Sequence, residues 1–126
     1  MNENPTNADE QFNLGIMYII GKGVLNDLEK GVYWWTKAAE QGHAEAQYRL
    51  GLYHNDEDNV KKDLEKAAYW LTKAAEQGHA AGQLQLGVCY ALGEGVQKDL
   101  EKAKYWGTKS AEQGHEKAKE FLATVF

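Results

Sequence analysis

The side chains able to do chemistry here are four histidines, one cysteine, one serine and a crowd of carboxylates, in 126 residues. His43, His79 and His115 each follow a glycine and stand 36 residues apart. Three imidazoles suggest zinc, which needs its nitrogens at about 2.0–2.1 Å from one ion. At equivalent points of stacked units they would instead lie roughly 8–10 Å apart, too far to share an ion. Capping of helix ends is the expected role, and no metal is expected. Asn55-Asp56-Glu57-Asp58-Asn59 gathers carboxylates in a short loop, as a calcium site would. It fails the spacing: Val60 falls where a ligand is needed, and the central glycine is missing. A solvated loop with Asn59 in the left-handed conformation is expected there. Gly21-Lys22-Gly23 and Gly93-Glu94-Gly95 lack the further glycine and the strand of a phosphate loop, so they read as turns. Cys89 has no second cysteine to pair with and suits a packed apolar position.

The histidines belong to a longer recurrence. Lys37-Ala38-Ala39-Glu40-Gln41-Gly42-His43-Ala44 returns unchanged as Lys73 to Ala80, and again as Lys109-Ser110-Ala111-Glu112-Gln113-Gly114-His115. A fixed period of this size marks a stacked-repeat architecture. Within one unit the spacing predicts a first helix, about Ala8 to Ile20, and a glycine-containing turn. Asp27 then caps a second helix over about Leu28 to Gln41, its carboxylate accepting free amides of the first turn. Gly42 ends that helix, since glycine takes the left-handed conformation without a steric penalty. Asp63, Gly78, Asp99 and Gly114 repeat these signals, and a last helix follows over about Glu116 to Val125. The short links make consecutive helices antiparallel.

Superposing the three units shows what each helix must bury. Gln11, Leu14, Gly15 and Tyr18 coincide with Gln47, Leu50, Gly51 and His54, and with Gln83, Leu86, Gly87 and Tyr90, on one helical face. The glycines mark a close approach of two backbones. On the second helix Ala67, Trp70 and Ala74 form the matching face, and Trp34 and Trp106 are equivalent to Trp70. A second stripe of the first helix reads Glu10, Asn13, Met17, then Ala46, Arg49, Tyr53, then Gly82, Gln85, Cys89, and ends as Ala118, Phe121, Val125. It turns from polar to apolar along the chain, which suits a face packed on the preceding unit and a polar cap at the first.

Leu-Gly-x-x-Tyr at residues 14–18 and 86–90 matches part of the tetratricopeptide signature, but the period is two residues too long. The unit as a whole resembles the Sel1-like repeat: Ala-x-x-x-Leu-Gly-x-x-Tyr, Gly-x-Gly-Val, then Asp-x-x-Lys-Ala-x-x-Trp-x-x-Lys-Ala-Ala-x-x-Gly. Residues 80–114 fit it almost throughout, with Ser110 standing where the pattern has alanine. The first unit departs at Gly31, and the second at His54 and at Glu57-Asp58-Asn59. The resemblance implies an all-α fold, a right-handed α/α solenoid of three helix pairs plus a C-terminal capping helix, seven helices in all. One domain over 1–126 is expected, with repeats at about 8–43, 44–79 and 80–115 and the cap at 116–126. Such proteins generally act as adaptors, and the family has no common catalytic residues to carry over. Some have been linked to penicillin-binding or β-lactamase activity. Ser110, the only serine, has Gln113 where a Ser-x-x-Lys motif needs lysine, so no catalytic residue and no cofactor is expected.

Charge bears on the partner. Nineteen acidic and 14 basic side chains leave a net charge of −5, and Arg49 is the only arginine, which argues against nucleic acid and anionic membranes. No apolar run is long enough to span a bilayer. The opening residues carry no basic, apolar leader, so a cytoplasmic setting is expected unless a leader was removed. The expected function is a protein-binding adaptor that acts as a monomer, with a structural spacer as the alternative and an enzyme as a remote one. The partner, a protein or peptide, is expected on a third stripe of the first helices: Phe12, Ile16, Ile19; Tyr48, Leu52, Asn55; and Leu84, Val88, Ala91. It ends as Glu120 and Thr124 in the last helix. These side chains vary in shape while staying mostly apolar, and by resemblance to tetratricopeptide solenoids this register lines the concave surface.

Overall fold

The computed structural model describes residues 4–126 and contains seven helices and no strand among them. They are α1 (Ala8–Ile20), α2 (Leu28–Glu40), α3 (Ala44–Asn55), α4 (Leu64–Glu76), α5 (Ala80–Leu92), α6 (Leu100–Glu112) and α7 (Glu116–Val125). Each helix packs on the next, so α1–α2, α3–α4 and α5–α6 form the pairs of an α/α solenoid and α7 covers the last.

The recurring block is the joint between units. Asp27, Asp63 and Asp99 cap the second helices, each Oδ1 accepting from the amide three residues on, at 3.0–3.1 Å. At the far end the Gly42 amide donates to Ala39 O and the His43 amide to Ala38 O, with Gly42 at φ +94°. This is a Schellman closure, repeated at Gly78 and Gly114. The histidine that completes it also caps the next helix. His43 Nδ1 accepts from the Ala46 amide at 3.1 Å, and His79 Nδ1 from Gly82 at 2.9 Å. His115 holds the same position, but its buried Nδ1 has no partner.

Two core clusters run through the stack. Ala38, Ala39, Ala46 and Leu50 form one, with Phe12, Trp35 and Trp70 against it. Leu71, Ala75, Leu86 and Cys89 form the other, with Trp106 against it. Leu14, Leu50 and Leu86 are buried, as the superposition predicts. Trp34, Trp70 and Trp106 are only half-buried: alanines and leucines fill the interior, and the Trp70 and Trp106 indoles lean on it from outside.

Close helix approach explains where the first unit departs from the pattern. A methyl group on Gly31 would meet Ile19 Cγ1 and lie 2.9 Å from Gly15 O. In the other units Asn55 and Ala91 stand where Ile19 does, and Ala67 and Ala103 replace Gly31. A bulky residue on one helix is thus matched by the missing methyl on its partner.

The stripe facing the preceding unit behaves as its chemistry predicts except at Val125, which is apolar yet 42 % exposed. Glu10 and Asn13 are exposed, whereas Ala46, Gly82, Cys89 and Ala118 are buried. The acidic loop differs from expectation in one respect. Asn59 is not left-handed, for no non-glycine residue among those described has positive φ. Two successive turns replace the glycine, closed by Asn59 N to Asp56 O and Lys62 N to Asn59 O, while Asn59 Nδ2 donates to Tyr53 O at 2.8 Å. The loop still finishes on the bond its counterparts use, Asp63 N to His54 O at 2.8 Å.

Candidate functional site

The stripe predicted to meet a partner lies on α1, α3 and α5. Phe12, Ile16, Ile19, Tyr48, Leu52, Asn55, Val88 and Ala91 are all half-buried. Leu84 is the exception at 6 % exposed: it lacks the length of the Phe12 and Tyr48 rings that occupy its position in the other units. Ile19 is partly committed elsewhere, since it fills the space over Gly31 within its own helix pair.

Histidines stiffen the upper part of this stripe. Phe12 stacks on His43 with centroids 4.6 Å apart, and Tyr48 packs on His79 at 4.7 Å. With Nδ1 accepting from a backbone amide, each ring presents an Nε2 proton to its other neighbour. His79 Nε2 donates to Glu45 Oε1 at 2.9 Å, and His43 Nε2 to Asp9 Oδ1 at 3.0 Å. These are charge-assisted hydrogen bonds. Arg49 Nε donates to the other oxygen of Glu45 at 2.8 Å. Burial alone would raise the Glu45 carboxyl, but the hydrogen bonds from His79 and Arg49 prevail and hold it below the usual range. The Tyr48 hydroxyl is pushed up by burial and then by the Glu45 charge. His43 and His79 are thus each spent on a helix end and a neighbouring acid.

A second device binds successive units: a pair of glutamines, one buried and one exposed. Gln77 Nε2 donates to Gln47 Oε1 and to Gly42 O, both at 2.8 Å, while Gln47 Nε2 donates to Ala39 O at 3.1 Å. Gln113 and Gln83 repeat this against Gly78 and Ala75. Gln41 and Gln11 repeat it against Thr6 and Pro5, at the chain positions nearest those of a preceding unit. Gln11, Gln47 and Gln83 are read from sequence only as face residues; their partners in the recurring block have no local signal.

Cys89 is buried and free, and burial with the nearby Glu94 charge pushes its thiol up to about 11, which suits packing and not nucleophilic attack. His54, where the other units have tyrosine, is lowered by burial and then by Lys66, and its Nδ1 is enclosed without a partner. Ser110 Oγ donates to Ala80 O at 2.7 Å, tying α6 to α5. In the acidic loop the Asp58 amide donates to Asp56 Oδ1 at 2.9 Å, and Lys62 pairs with Glu57 at 2.6 Å. No group of three or more His, Cys, Asp or Glu side chains among the described residues is arranged to hold a metal ion. No helix there is long and apolar enough to cross a membrane.

Sequence pattern alone gives little weight to Tyr33, Tyr69 and Tyr105, yet they form an exposed row on α2, α4 and α6. They are 53 %, 55 % and 53 % exposed, and each meets the following tryptophan edge-on. Their exact recurrence every 36 residues is the signal that could have found them.

Comparison with known proteins places this geometry. A family model described as the Sel1 repeat matches residues 11–43, 44–79 and 80–115. Among solved structures, a Sel1 repeat protein from Oxalobacter formigenes is 37 % identical, with a TM-score of 0.88, over 94 % of this chain and 34 % of that one. The protective antigen c5321 of uropathogenic Escherichia coli strains, described as displaying an SLR fold, is 36 % identical, also at 0.88, over 94 % of this chain and 25 % of that one. Cysteine rich protein B of Helicobacter pylori is 26 % identical, with a TM-score of 0.75, over 90 % of this chain and 88 % of that one. The chain therefore spans about a third and a quarter of the first two proteins. No curated protein matches.

Proposed function

The chain belongs to the Sel1 repeat family, helical repeat proteins that generally mediate protein interactions, and from that premise we propose that it is an adaptor whose first helices hold a partner peptide or helix. The observation that carries the reading is the contrast between adjacent stripes of those helices. The Leu-Gly stripe is sealed and nearly constant, while the stripe beside it stays half-buried in eight of its nine positions and changes chemistry from unit to unit. A surface that varies on a constant frame is suited to recognising one particular partner. Phe12 and Tyr48, pinned on His43 and His79, would be rigid anchors, and Ile16, Leu52 and Val88 would supply apolar contact between them. Affinity capture followed by mass spectrometry tests it. Wild type should retain a protein that a Leu52→Asp, Val88→Asp variant of unchanged helicity releases. Equal retention by both would remove the stripe from the account, and no retained protein would favour the spacer.

A further inference from the structure

The third joint of the stack lacks a part that the first two have. We propose that the partner of the first-helix stripe places an acidic side chain there, its carboxylate bonding to His115 Nε2 in the seat that Ala81 leaves open. This deepens the adaptor reading and rests on it.

The first two joints show the complete arrangement. His43 Nε2 meets Asp9 Oδ1 at 3.0 Å and His79 Nε2 meets Glu45 Oε1 at 2.9 Å, each acid lying on the preceding first helix. The other ring nitrogen accepts an amide in both, from Ala46 at His43 and from Gly82 at His79. An aromatic ring, Phe12 or Tyr48, lies against each imidazole. The acid thus holds the ring in the pose that caps the next helix.

At His115 these contacts are missing. Asp9 and Glu45 stand 34 residues before their histidines, and the residue 34 before His115 is Ala81. Leu84 replaces the aromatic ring, and no ring stacks on His115 among the described residues. The Ala118 amide, the counterpart of those that cap on Nδ1, bonds to His115 O at 3.1 Å instead. His115 Nδ1 is left enclosed without a partner, where water cannot satisfy it. Turning the ring into the pose of His43 and His79 would satisfy it. Nε2, by contrast, is not enclosed and makes no hydrogen bond among the described residues.

The two complete joints select the ligand. Both use a carboxylate, whose charge-assisted bond to an imidazole N–H is stronger than a neutral one. At this register the chain runs Asp9, Glu45, Ala81, Lys117, so the open seat is followed by a cation and not by a third acid. Ala81, Leu84 and Val88 fall at i, i+3 and i+7 on one face of α5, which joins the seat to the stripe. An acidic residue flanked by apolar ones would meet both. A side chain is the source because Asp9 and Glu45 fill the equivalent seats as side chains of an element lying alongside.

Nuclear magnetic resonance of the ¹⁵N-labelled full chain tests this, with the end-blocked peptide Ala-Leu-Glu-Leu-Ala as probe and its glutamine counterpart as control. The His115 ring nitrogens and the Ala118 amide should shift together and saturably with the glutamate peptide, while His43 and His79 stay fixed. Ala81→Glu should complete the joint from within. It puts an acid in the first turn of α5, where the helix tolerates one. It should move the Ala118 amide the same way without peptide, and weaken the glutamate peptide by at least about tenfold. Four results would overturn the proposal: no His115 shift at millimolar glutamate peptide, an equal shift with the glutamine peptide, a shift only from a glutamine peptide with a free C-terminus, or an unmoved Ala118 amide in Ala81→Glu. Affinity capture separates this site from the stripe. A protein released by Leu52→Asp, Val88→Asp but kept by Ala81→Glu would overturn the seat and leave the stripe standing. Glutamate-peptide shifts with no captured protein would support the seat and sink the adaptor reading.

Discussion

Replacing Gln47 by methionine tests whether the glutamine pairs hold the units together. Gln47 is 4 % exposed, and methionine keeps nearly its volume, so the change removes polar contacts and little packing. Two hydrogen bonds are lost: one accepted from Gln77 Nε2, one donated to Ala39 O. The groups left behind are not wholly orphaned. Gln77 is exposed and still donates to Gly42 O, and Ala39 O still accepts from the Gly42 amide. The loss therefore lies near the net value of two bonds, about 2 kcal/mol, and below the cost of a fully abandoned buried group. For a chain of this length that is roughly 8 °C in Tm. Gln11→Met should cost less, because its carbonyl partner is Pro5 in the leading segment and not a helix of another unit. Urea denaturation of both variants measures the difference. A Gln47→Met loss below about 0.5 kcal/mol, or one smaller than that of Gln11→Met, would refute the reasoning.

Gly31→Ala should cost about 1–3 kcal/mol by driving a methyl into Ile19; adding Ile19→Ala should recover at least about 1 kcal/mol of what additivity predicts, and strictly additive losses would sink the steric account. His54→Tyr should remove an acid-sensitive step. Because the folded imidazole is held below its ordinary value of 6.5, its stability is present above that pH and lost as pH falls through the folded value, so urea midpoints should drop further from pH 7.5 to 5.5 for wild type than for the variant; parallel drops would count against it. Trp70→Ala should cost about 3 kcal/mol, at the low end for aromatic truncation because the indole is only half-buried, and an unmoved thermal melt would remove it from the core periphery.

Much of the fold is legible in the sequence because each joint is local. Asp27, Gly42 and His43 each act within a few residues of their position, so the caps and the α1 and α7 bounds follow from chain order alone. Asn59 shows the limit. Asparagine tolerates the left-handed region, but two ordinary turns close the same loop, and nothing in the local sequence chooses between them. The glutamine pairs and the Ile19–Gly31 match join residues 30 and 12 positions apart, where only the three-dimensional stack decides who meets whom. The tryptophans mislead for a related reason: their size suggests the interior, yet the close helix approach leaves room there only for alanine, glycine and leucine.

Photo-crosslinking from the first helices tests the central claim most directly. A benzoylphenylalanine placed at Leu52, half-buried in the middle of the stripe, should capture the retained partner. The same group at Val60, which is 99 % exposed on the acidic loop, should capture little of it. Capture from Val60 with none from Leu52 would contradict the account and move binding to the loops.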